Sequence, residues 1–340
     1  MAQALSLSGG GYRGLFTAYA LDALQARSIP LNGGEPEVPL ANRFEIIAGT
    51  SIGGIIAIGL AIGKSTAEIV AAIKRHGPDI FKHEVTLFNG RVKFSPPRFG
   101  LLAHRYSADG LKNAIAEILG DKAGARLGEV SPGLVVTAVN QTTHMPAVFL
   151  SGPGNEYEDV RLLDAALATS AAPTYFPEHS IGTSNFIDGG IIANAPDLLA
   201  LIELKRRTGQ DFTNIRLLSI GTAAGVNEDR YRDPRGFGGL RLLMPTWLGG
   251  RNLMHTVLVA QEHMALKYAK NALNDAFIRI DKEPSGPQQK VIALDKTGDE
   301  ASNTLKTLAN DALGQHLASA ELRSILRNPA VQRPICYTPR

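Results

Sequence analysis

Short apolar runs alternate with segments of helical periodicity along most of the chain. In the helix-like segments the apolar residues recur every three or four positions. Strands are predicted at 3–8, 44–47, 133–140, 147–152, 186–190, 215–222 and 276–281. Helices are predicted at 13–27, 52–63, 66–77, 107–121, 162–172, 196–207, 251–275 and 302–325. This alternation predicts an α/β protein in which helices cover both faces of a mainly parallel sheet.

The domain organisation follows from the absence of repeats and of low-complexity linkers in the 340 residues. We interpret the chain as a single domain over 1–340. Two segments lack a clear period: 78–106 carries aromatic and basic residues, and 223–250 is rich in Gly and Arg. We expect both to be irregular, flap-like or lid-like inserts. Residues of about 251–330 are expected to add C-terminal helices to the core.

Uncharged residues run without interruption from Ile46 to Gly63. This length is just enough to suggest a membrane span. The same stretch contains Gly49-Thr50-Ser51-Ile52-Gly53, which fits G-x-S-x-G, the strand-to-helix turn that presents a nucleophilic serine. The flanking glycines, Gly49 and Gly53, are needed in such a turn because side chains there would clash with neighbouring backbone. Since a strand-like run precedes Ser51, we favour the turn over the membrane span.

Charge and composition narrow the class of protein. The net charge is +3, with 44% hydrophobic and 20% charged residues, which is typical of a soluble globular protein and not of a general nucleic-acid binder. The single cysteine, Cys336, excludes an intramolecular disulfide. The first residues show neither the basic nor the apolar part of a signal peptide. We therefore expect a cytoplasmic protein that meets a membrane only at its surface.

A second glycine motif, Gly9–Gly14 (GGGYRG), lies between the first strand and the first helix. Its G-x-G-x-x-G spacing (Gly9, Gly11, Gly14) also occurs in dinucleotide-binding loops, but the acidic residue that should end a second strand about 20 residues later is missing. Backbone N–H groups of such a loop can instead stabilise an oxyanion, and Arg13 would add positive charge. A purely structural turn is the third interpretation. We favour an oxyanion hole formed by Gly9, Gly10, Gly11 and Arg13.

An aspartate is the best candidate for a general base. Asp188-Gly189-Gly190 follows a predicted strand, which places Asp188 at the carboxyl end of the sheet, although this pattern by itself is most often a turn. The histidines that follow it along the chain lie in predicted helices and not in strand-to-loop positions. Direct activation of Ser51 by Asp188 is then the simplest scheme. No cluster of residues at ligand spacing predicts a metal.

The three motifs occur in the order found in the patatin-like phospholipases, acyl hydrolases with a Ser–Asp dyad, and the chain resembles that family. The resemblance covers about residues 4–222 and includes 168–178, 194–200 and 217–222. It implies a three-layer α/β/α patatin-like fold, Ser51 as nucleophile, Asp188 as its base, an oxyanion hole at Gly9–Gly11 supported by Arg13, and no cofactor. Ser8 departs from the family, which usually has Asp before the glycines, and this departure concerns the geometry of the loop.

Longer stretches, at 5–24, 49–65 and 293–313, are similar to one bacterial branch of the family. Its members are effectors of cyclic-oligonucleotide-based anti-phage signalling (CBASS), in which a cyclic dinucleotide switches on degradation of the inner membrane. This resemblance implies a lipid acyl hydrolase of the phospholipase A type that acts peripherally on that membrane. The expected partners are membrane phospholipids, an activating cyclic dinucleotide and further copies of the chain in a homo-oligomer, with no DNA or RNA.

The arginine and aromatic residues of the two inserts suit two different ligands. They fit the phosphates and bases of a cyclic dinucleotide, or the anionic headgroups below a lipid-facing rim, and we assign no residue to the nucleotide. Two alternatives to a switched phospholipase stay open. One is a constitutively active, nonspecific lipid acyl hydrolase. The other is a non-catalytic binding protein on the same fold, against which the intact Ser51 and Asp188 argue.

Overall fold

The computed structural model describes residues 1–28, 38–82, 85–87, 92–94, 106–131, 133–224 and 253–330, with the backbone alone at 85–87, 92–94 and 253–255. The strands in these residues are β1 (Ala2–Leu7), β2 (Ile46–Thr50), β3 (Val85–Leu87), β4 (Val92–Phe94), β5 (Gly133–Asn140), β6 (Met145–Leu150), β7 (His179–Ile181), β8 (Ser184–Asp188), β9 (Ile215–Ile220) and β10 (Phe277–Ile280). The α-helices are α1 (Gly14–Ser28), α2 (Ile52–Ala61), α3 (Thr66–Ile80), α4 (Ala108–Leu119), α5 (Leu162–Thr169), α6 (Gly190–Ala193), α7 (Asp197–Thr208), α8 (Leu253–Leu273), α9 (Gly286–Val291), α10 (Asp299–Gly314) and α11 (Ala320–Arg327).

An eight-stranded sheet forms the centre of the protein, in the order β10-β9-β1-β2-β5-β8-β7, and β6 also pairs with β5. The pairs from β10 to β5 are parallel. The pairs of β5 with β6, β5 with β8 and β7 with β8 are antiparallel. The predicted α/β fold with a mainly parallel sheet is therefore confirmed.

Alternate residues of the central strands face two apolar cores, one on each side of the sheet. Leu5 and Leu7 of β1 belong to the larger core, to which helices α1 to α5, α10 and α11 contribute. Ala2 and Ala4 belong to the smaller core, which α7 and α8 complete. Because side chains alternate between the faces of a strand, this division gives three layers, with helices on both sides of the sheet.

Helix α3 continues to Ile80, beyond the end that the sequence predicts at Gly77. Gly77 is buried against Tyr12, and a Cβ at this position would lie 2.2 Å from the Tyr12 Cε2 atom. The glycine therefore makes room for an aromatic ring and does not end the helix. Pro78 stands in the last helical turn, where its missing N–H removes a single hydrogen bond. The predicted end was wrong because the glycine serves tertiary packing.

The single C-terminal helix predicted over 302–325 is wrong, since the structure has two helices, α10 and α11, in its place. The backbone at Ser319 is extended, and its side-chain oxygen accepts the N–H of Leu322 at 3.2 Å. An N-cap of this kind requires non-helical backbone, so Ser319 separates the two helices. The short helix α9 was not predicted.

The first predicted insert contains regular structure, because β3 and β4 form an antiparallel pair within 78–106. The prediction of an irregular segment was wrong for these residues. The described residues do not include 83–84, 88–91 and 95–105 of the first insert. They also do not include 225–252, a range that contains most of the second insert. Tyr106, where the first insert ends, is buried and donates its hydroxyl to Asp295 Oδ2 at 2.9 Å.

The uncharged stretch from Ile46 to Gly63 is divided between strand β2 and helix α2, with Ser51 between them. Within the described ranges, no helix combines the length and the apolar run that crossing a bilayer requires.

Candidate active site

Ser51 and Asp188 are brought together by one edge of strand β5. Strand β6 occupies the other edge, so β2 and β8 share this one. Strand β2 runs parallel to β5, and β8 runs antiparallel to β5. The C-terminal ends of β2 and β8 therefore meet along this edge. Thr50 lies opposite Thr137, and Asp188 lies opposite the next residue, Ala138. Ser51, which follows Thr50, is thereby placed beside Asp188.

Ser51 stands in a strained turn between β2 and α2. Its φ of 56° and ψ of −127° are rarely adopted by residues with a side chain, at a cost of about 1–3 kcal/mol. Its N–H donates to Thr169 Oγ1 at 2.9 Å. A Cβ at Gly49 would lie 2.2 Å from the Gly53 carbonyl oxygen, and one at Gly53 would lie 2.3 Å from that of Leu7. Both glycines are therefore required for the turn.

The Asp188 carboxyl group is buried, with the residue only 6% exposed. Burial raises its pKa from 3.8 to about 6, while hydrogen bonds from the Ser51 hydroxyl and the Gly190 N–H act in the opposite direction. The Gly190 N–H donates to Oδ1 at 2.7 Å. A carboxylate with a pKa closer to neutrality accepts a proton from a hydroxyl more readily than an exposed aspartate does. The structure thus brings the candidate base into contact with the candidate nucleophile.

Two other glycines of the motifs serve close packing. A Cβ at Gly14 would lie 2.2 Å from Ile52 Cγ1, so this glycine lets the start of α1 approach α2. A Cβ at Gly189 would lie 2.3 Å from the Thr137 carbonyl oxygen. This glycine therefore lets the turn after Asp188 lie close against β5.

The glycine loop lies against Ser51, but one of its N–H groups is already bonded. A Cβ at Gly9 would lie 3.3 Å from the Ser51 Cβ. The Gly9 N–H donates to the Asn194 carbonyl oxygen at 2.9 Å and therefore does not fit its predicted role as an oxyanion donor. For the N–H groups of Gly10 and Gly11, the described residues provide no acceptor. These two groups stay the candidates for the oxyanion hole.

Arg13 is partly buried at the end of the glycine loop, and its Nη1 donates to the Ala224 carbonyl oxygen at 3.3 Å. Burial lowers the pKa of its guanidinium, while the negative charges of Glu262 and Asp281 act in the opposite direction. Its Nε atom is buried and has no partner among the described residues. The guanidinium thus lies near two carboxylates, and its support of the oxyanion loop stays a prediction.

The described part of the chain contains no group of three or more His, Cys, Asp or Glu side chains that could hold a metal ion. Two histidines have carboxylate partners: His76 bonds to Glu117 at 2.6 Å and His179 to Asp164 at 3.0 Å. Among the described residues, the groups that hydrogen-bond to the Asp188 carboxylate are a hydroxyl and a backbone amide. The arrangement can therefore deprotonate Ser51 through Asp188 directly.

Two residues of α8 that no sequence motif marks also contact the site. Gln261 Oε1 accepts the Asn194 N–H at 3.0 Å, and its Nε2 donates to the Gly190 carbonyl oxygen at 2.9 Å. Glu262 Oε2 accepts from Asn194 Nδ2 at 2.7 Å. One signal in the sequence could have found Glu262. It lies seven residues before Ala269, which is buried, and therefore on the apolar face of the helix, where a charge is unusual.

Several known proteins are similar to this chain over most of its length. A family model for patatin-like phospholipases matches residues 5–201. A cGAMP-activated phospholipase from Pseudomonas aeruginosa is 35% identical over 98% of this chain and 94% of its own length. Proteins of the same name from Vibrio cholerae and Escherichia coli are each 31% identical, over 93% and 96% of this chain and 90% and 93% of their own lengths. The matched range includes Ser51 and Asp188, whereas Gln261 and Glu262 lie beyond it.

Proposed function

The chain belongs to the patatin-like phospholipase family, and we propose that it hydrolyses acyl esters of membrane phospholipids with Ser51 as nucleophile and Asp188 as base. One observation carries the proposal: a serine in a strained, glycine-flanked turn contacts a buried carboxylate whose pKa is raised to about 6. This combination is the one that direct activation of a hydroxyl by a carboxylate requires. We propose that residues 1–340 act as a single domain.

The chemistry proceeds in two steps. Ser51 Oγ attacks the ester carbonyl carbon while Asp188 takes the hydroxyl proton, and that proton then passes to the departing lysophospholipid oxygen. The N–H groups of Gly10 and Gly11 stabilise the tetrahedral oxyanion, at about 3–4 kcal/mol for a donor of this kind. Water, deprotonated by Asp188, then attacks the acyl-enzyme, and the proton returned to Ser51 completes release of the fatty acid.

We further propose that a cyclic dinucleotide of the cGAMP type switches this activity on. The support is that three relatives named cGAMP-activated phospholipase match this chain over 93% or more of its length. The residues that bind the nucleotide stay unassigned, since the arginine-rich inserts lie largely outside the described residues.

The place of action is the cytoplasmic face of the inner membrane, where the enzyme works peripherally, and we propose that it forms a homo-oligomer. The similarity to the anti-phage branch supports a role in which a nucleotide made on infection starts degradation of the membrane. In cells that carry the matching nucleotide synthase, we expect phage infection to release fatty acids when Ser51 is intact, and not in a Ser51→Ala strain.

Fatty-acid release from liposomes of phosphatidylethanolamine and phosphatidylglycerol tests the enzymatic proposal. The purified chain is assayed with cGAMP, with cyclic di-GMP and without nucleotide. We expect release with cGAMP from the wild type and none from Ser51→Ala or Asp188→Ala. Ser180→Ala, at an exposed serine on β7, is the matched control and should keep full activity.

A different result of this assay would contradict each of the three proposals: the switch, the hydrolase activity and the assigned base. Equal release without nucleotide would refute the switch and leave a constitutive hydrolase. No release under any condition would refute the hydrolase and leave a binding protein. Near-full activity of Asp188→Ala would refute the assigned base.

A further inference from the structure

Gln261 lies where helix α8 passes the candidate active site. Its Oε1 accepts the Asn194 N–H at 3.0 Å, and its Nε2 donates to the carbonyl oxygens of Gly190 and Leu258 at 2.9 and 3.0 Å. One side-chain amide therefore accepts from Asn194 and donates to Gly190, which stand at the two ends of the short helix α6. Among uncharged side chains of this length, only glutamine offers both.

Each of the two ends of α6 that Gln261 holds bonds in turn to one half of the site. The Asn194 carbonyl oxygen accepts the Gly9 N–H at 2.9 Å, which ties Asn194 to the glycine loop. The Gly190 N–H donates to Asp188 Oδ1 at 2.7 Å, which orients the carboxylate. Gln261 thus links Asp188 to the glycine loop through one residue on each side, Gly190 and Asn194.

A second set of contacts holds the same corner of the glycine loop. Asn194 Nδ2 donates to Glu262 Oε2 at 2.7 Å, and Arg279 Nη2 donates to Glu262 Oε1 at 3.0 Å. Arg279 Nη1 donates to Ser8 Oγ at 3.0 Å, directly before Gly9. The ionic side chains of Glu262 and Arg279 are mostly buried, with 13% and 16% of their surfaces exposed. Asn194 is therefore held by α8 through both its backbone and its side chain.

Helix α8 is a firm support for these contacts. Its C-terminal half packs into the smaller core through Ala269 and Leu273, and Leu258 reaches Gly190, where a Cβ would lie 3.2 Å from the Leu258 Cδ2 atom. A group on a packed helix holds its partners more tightly than a group on a loop. Helix α8 therefore braces the stretch from Gly190 to Asn194, which lies between the Asp188 turn and the glycine loop.

We propose that Gln261 is a positioning residue that fixes the Asp188 carboxylate relative to the oxyanion loop. The inference rests on the proposed hydrolase function. It goes beyond that function because it assigns a role to a residue outside the family motifs and outside the matched range. Misplacement of reacting groups by about 1 Å can cost on the order of 100-fold in rate, so loss of this link should act on kcat and not on lipid binding.

The test compares Gln261→Ala and Gln261→Glu with Lys267→Ala, a control at an exposed position of the same helix. Gln261→Glu keeps the size of the side chain and the acceptor for Asn194, but removes the donor to Gly190. We expect kcat to fall about 10- to 100-fold in both Gln261 variants, with KM within about twofold of the wild type, and Lys267→Ala to be unchanged.

Hydrogen–deuterium exchange supplies a readout that does not depend on activity. In Gln261→Ala we expect faster exchange in peptides covering 9–14 and 188–194, with no change in the β5 peptide 133–140. In Gln261→Glu the increase should be confined mainly to 188–194, because the bond to Asn194 survives. If Gln261→Ala does not fold, Gln261→Glu carries both measurements.

Wild-type kcat in both Gln261 variants would overturn the inference, as would reduced kcat without faster exchange in these two peptides. A wild-type chain that hydrolyses no lipid would contradict the proposed function instead. In that case the exchange pattern still decides whether Gln261 holds the two ends of α6.

Discussion

The buried Asp188 carboxylate should make the protein less stable above neutral pH, and Asp188→Asn should remove this cost. Burial raises the pKa of Asp188 from 3.8 to about 6, so the folded chain must hold an unfavourable buried charge once this group ionises. Asparagine has nearly the same shape, remains neutral and can still accept the Gly190 N–H. The variant should therefore lose hydrolytic activity and gain stability.

The size and the direction of the effect follow from the pKa. The rise from 3.8 to about 6 corresponds to ~3 kcal/mol, at about 1.4 kcal/mol for each tenfold change in proton affinity. Between these pH values the folded protein binds more protons than the unfolded chain, so the stability falls as the pH rises through this window. The advantage of Asp188→Asn over the wild type should thus grow by ~3 kcal/mol between about pH 4 and about pH 8.

Denaturation midpoints of both proteins at these two pH values measure the effect. With about 2.1 cal/mol/K of unfolding entropy per residue and 340 residues, ~3 kcal/mol corresponds to a difference of ~4 °C in the shift of Tm. Comparing two pH values cancels any neutral contribution of the asparagine itself. Asp311→Asn, at an exposed position on α10, is the control. The difference in Tm between this variant and the wild type should not change by ~4 °C between the two pH values.

A stability difference between Asp188→Asn and the wild type that is the same at both pH values would refute this reasoning. It would mean that the carboxyl group ionises at its ordinary pKa in the folded protein. Asp188 would then be solvated or paired, and the structural basis for its role as a base would be lost.

Three other predictions test the site. Initial rates on liposomes should rise with pH through an apparent pKa of about 6, as Asp188 loses its proton, and a rate independent of pH between about 5 and 8 would argue against a carboxylate base. Ser51→Gly should abolish hydrolysis yet raise stability by about 1 kcal/mol in urea denaturation, because glycine accepts a φ of 56° without strain, and a less stable variant would contradict the strained turn. Gly49→Ala should yield little folded protein, since its Cβ would lie 2.2 Å from the Gly53 carbonyl oxygen, and circular dichroism with wild-type melting would show that the turn can relax.

Local pattern was enough to predict most of the core elements, because periodicity and capping are properties of neighbouring residues. In the helix predicted over 107–121, the Ser107 side-chain oxygen accepts the N–H of Asp109 as an N-cap, and Gly120 ends the helix with a φ of 56°. The errors arose where distant residues decide. Gly77 was predicted to end a helix because its contact with Tyr12 cannot be seen in the sequence around it.

The same distinction applies to the candidate site. The motifs predicted which residues could react, since each motif describes one tight turn. They did not predict that the Gly9 N–H is used by Asn194, nor that Gln261 holds Asn194, because these contacts join segments far apart in the chain. Such contacts depend on how α8 packs against the sheet, which periodicity alone does not specify.

The shared edge of β5 has a consequence for how this protein tolerates insertions and deletions. Thr50 and Asp188 occupy adjacent positions along that edge, opposite Thr137 and Ala138. The loops between β2 and β5, and between β5 and β8, can therefore change in length without altering this pairing, provided that the Ser51 turn and the core helices are kept. A single residue inserted within β5 itself, between 137 and 138, would move the two partners apart by one strand position. A change of length in a loop is thus compatible with unchanged chemistry, whereas a change of length within β5 is not.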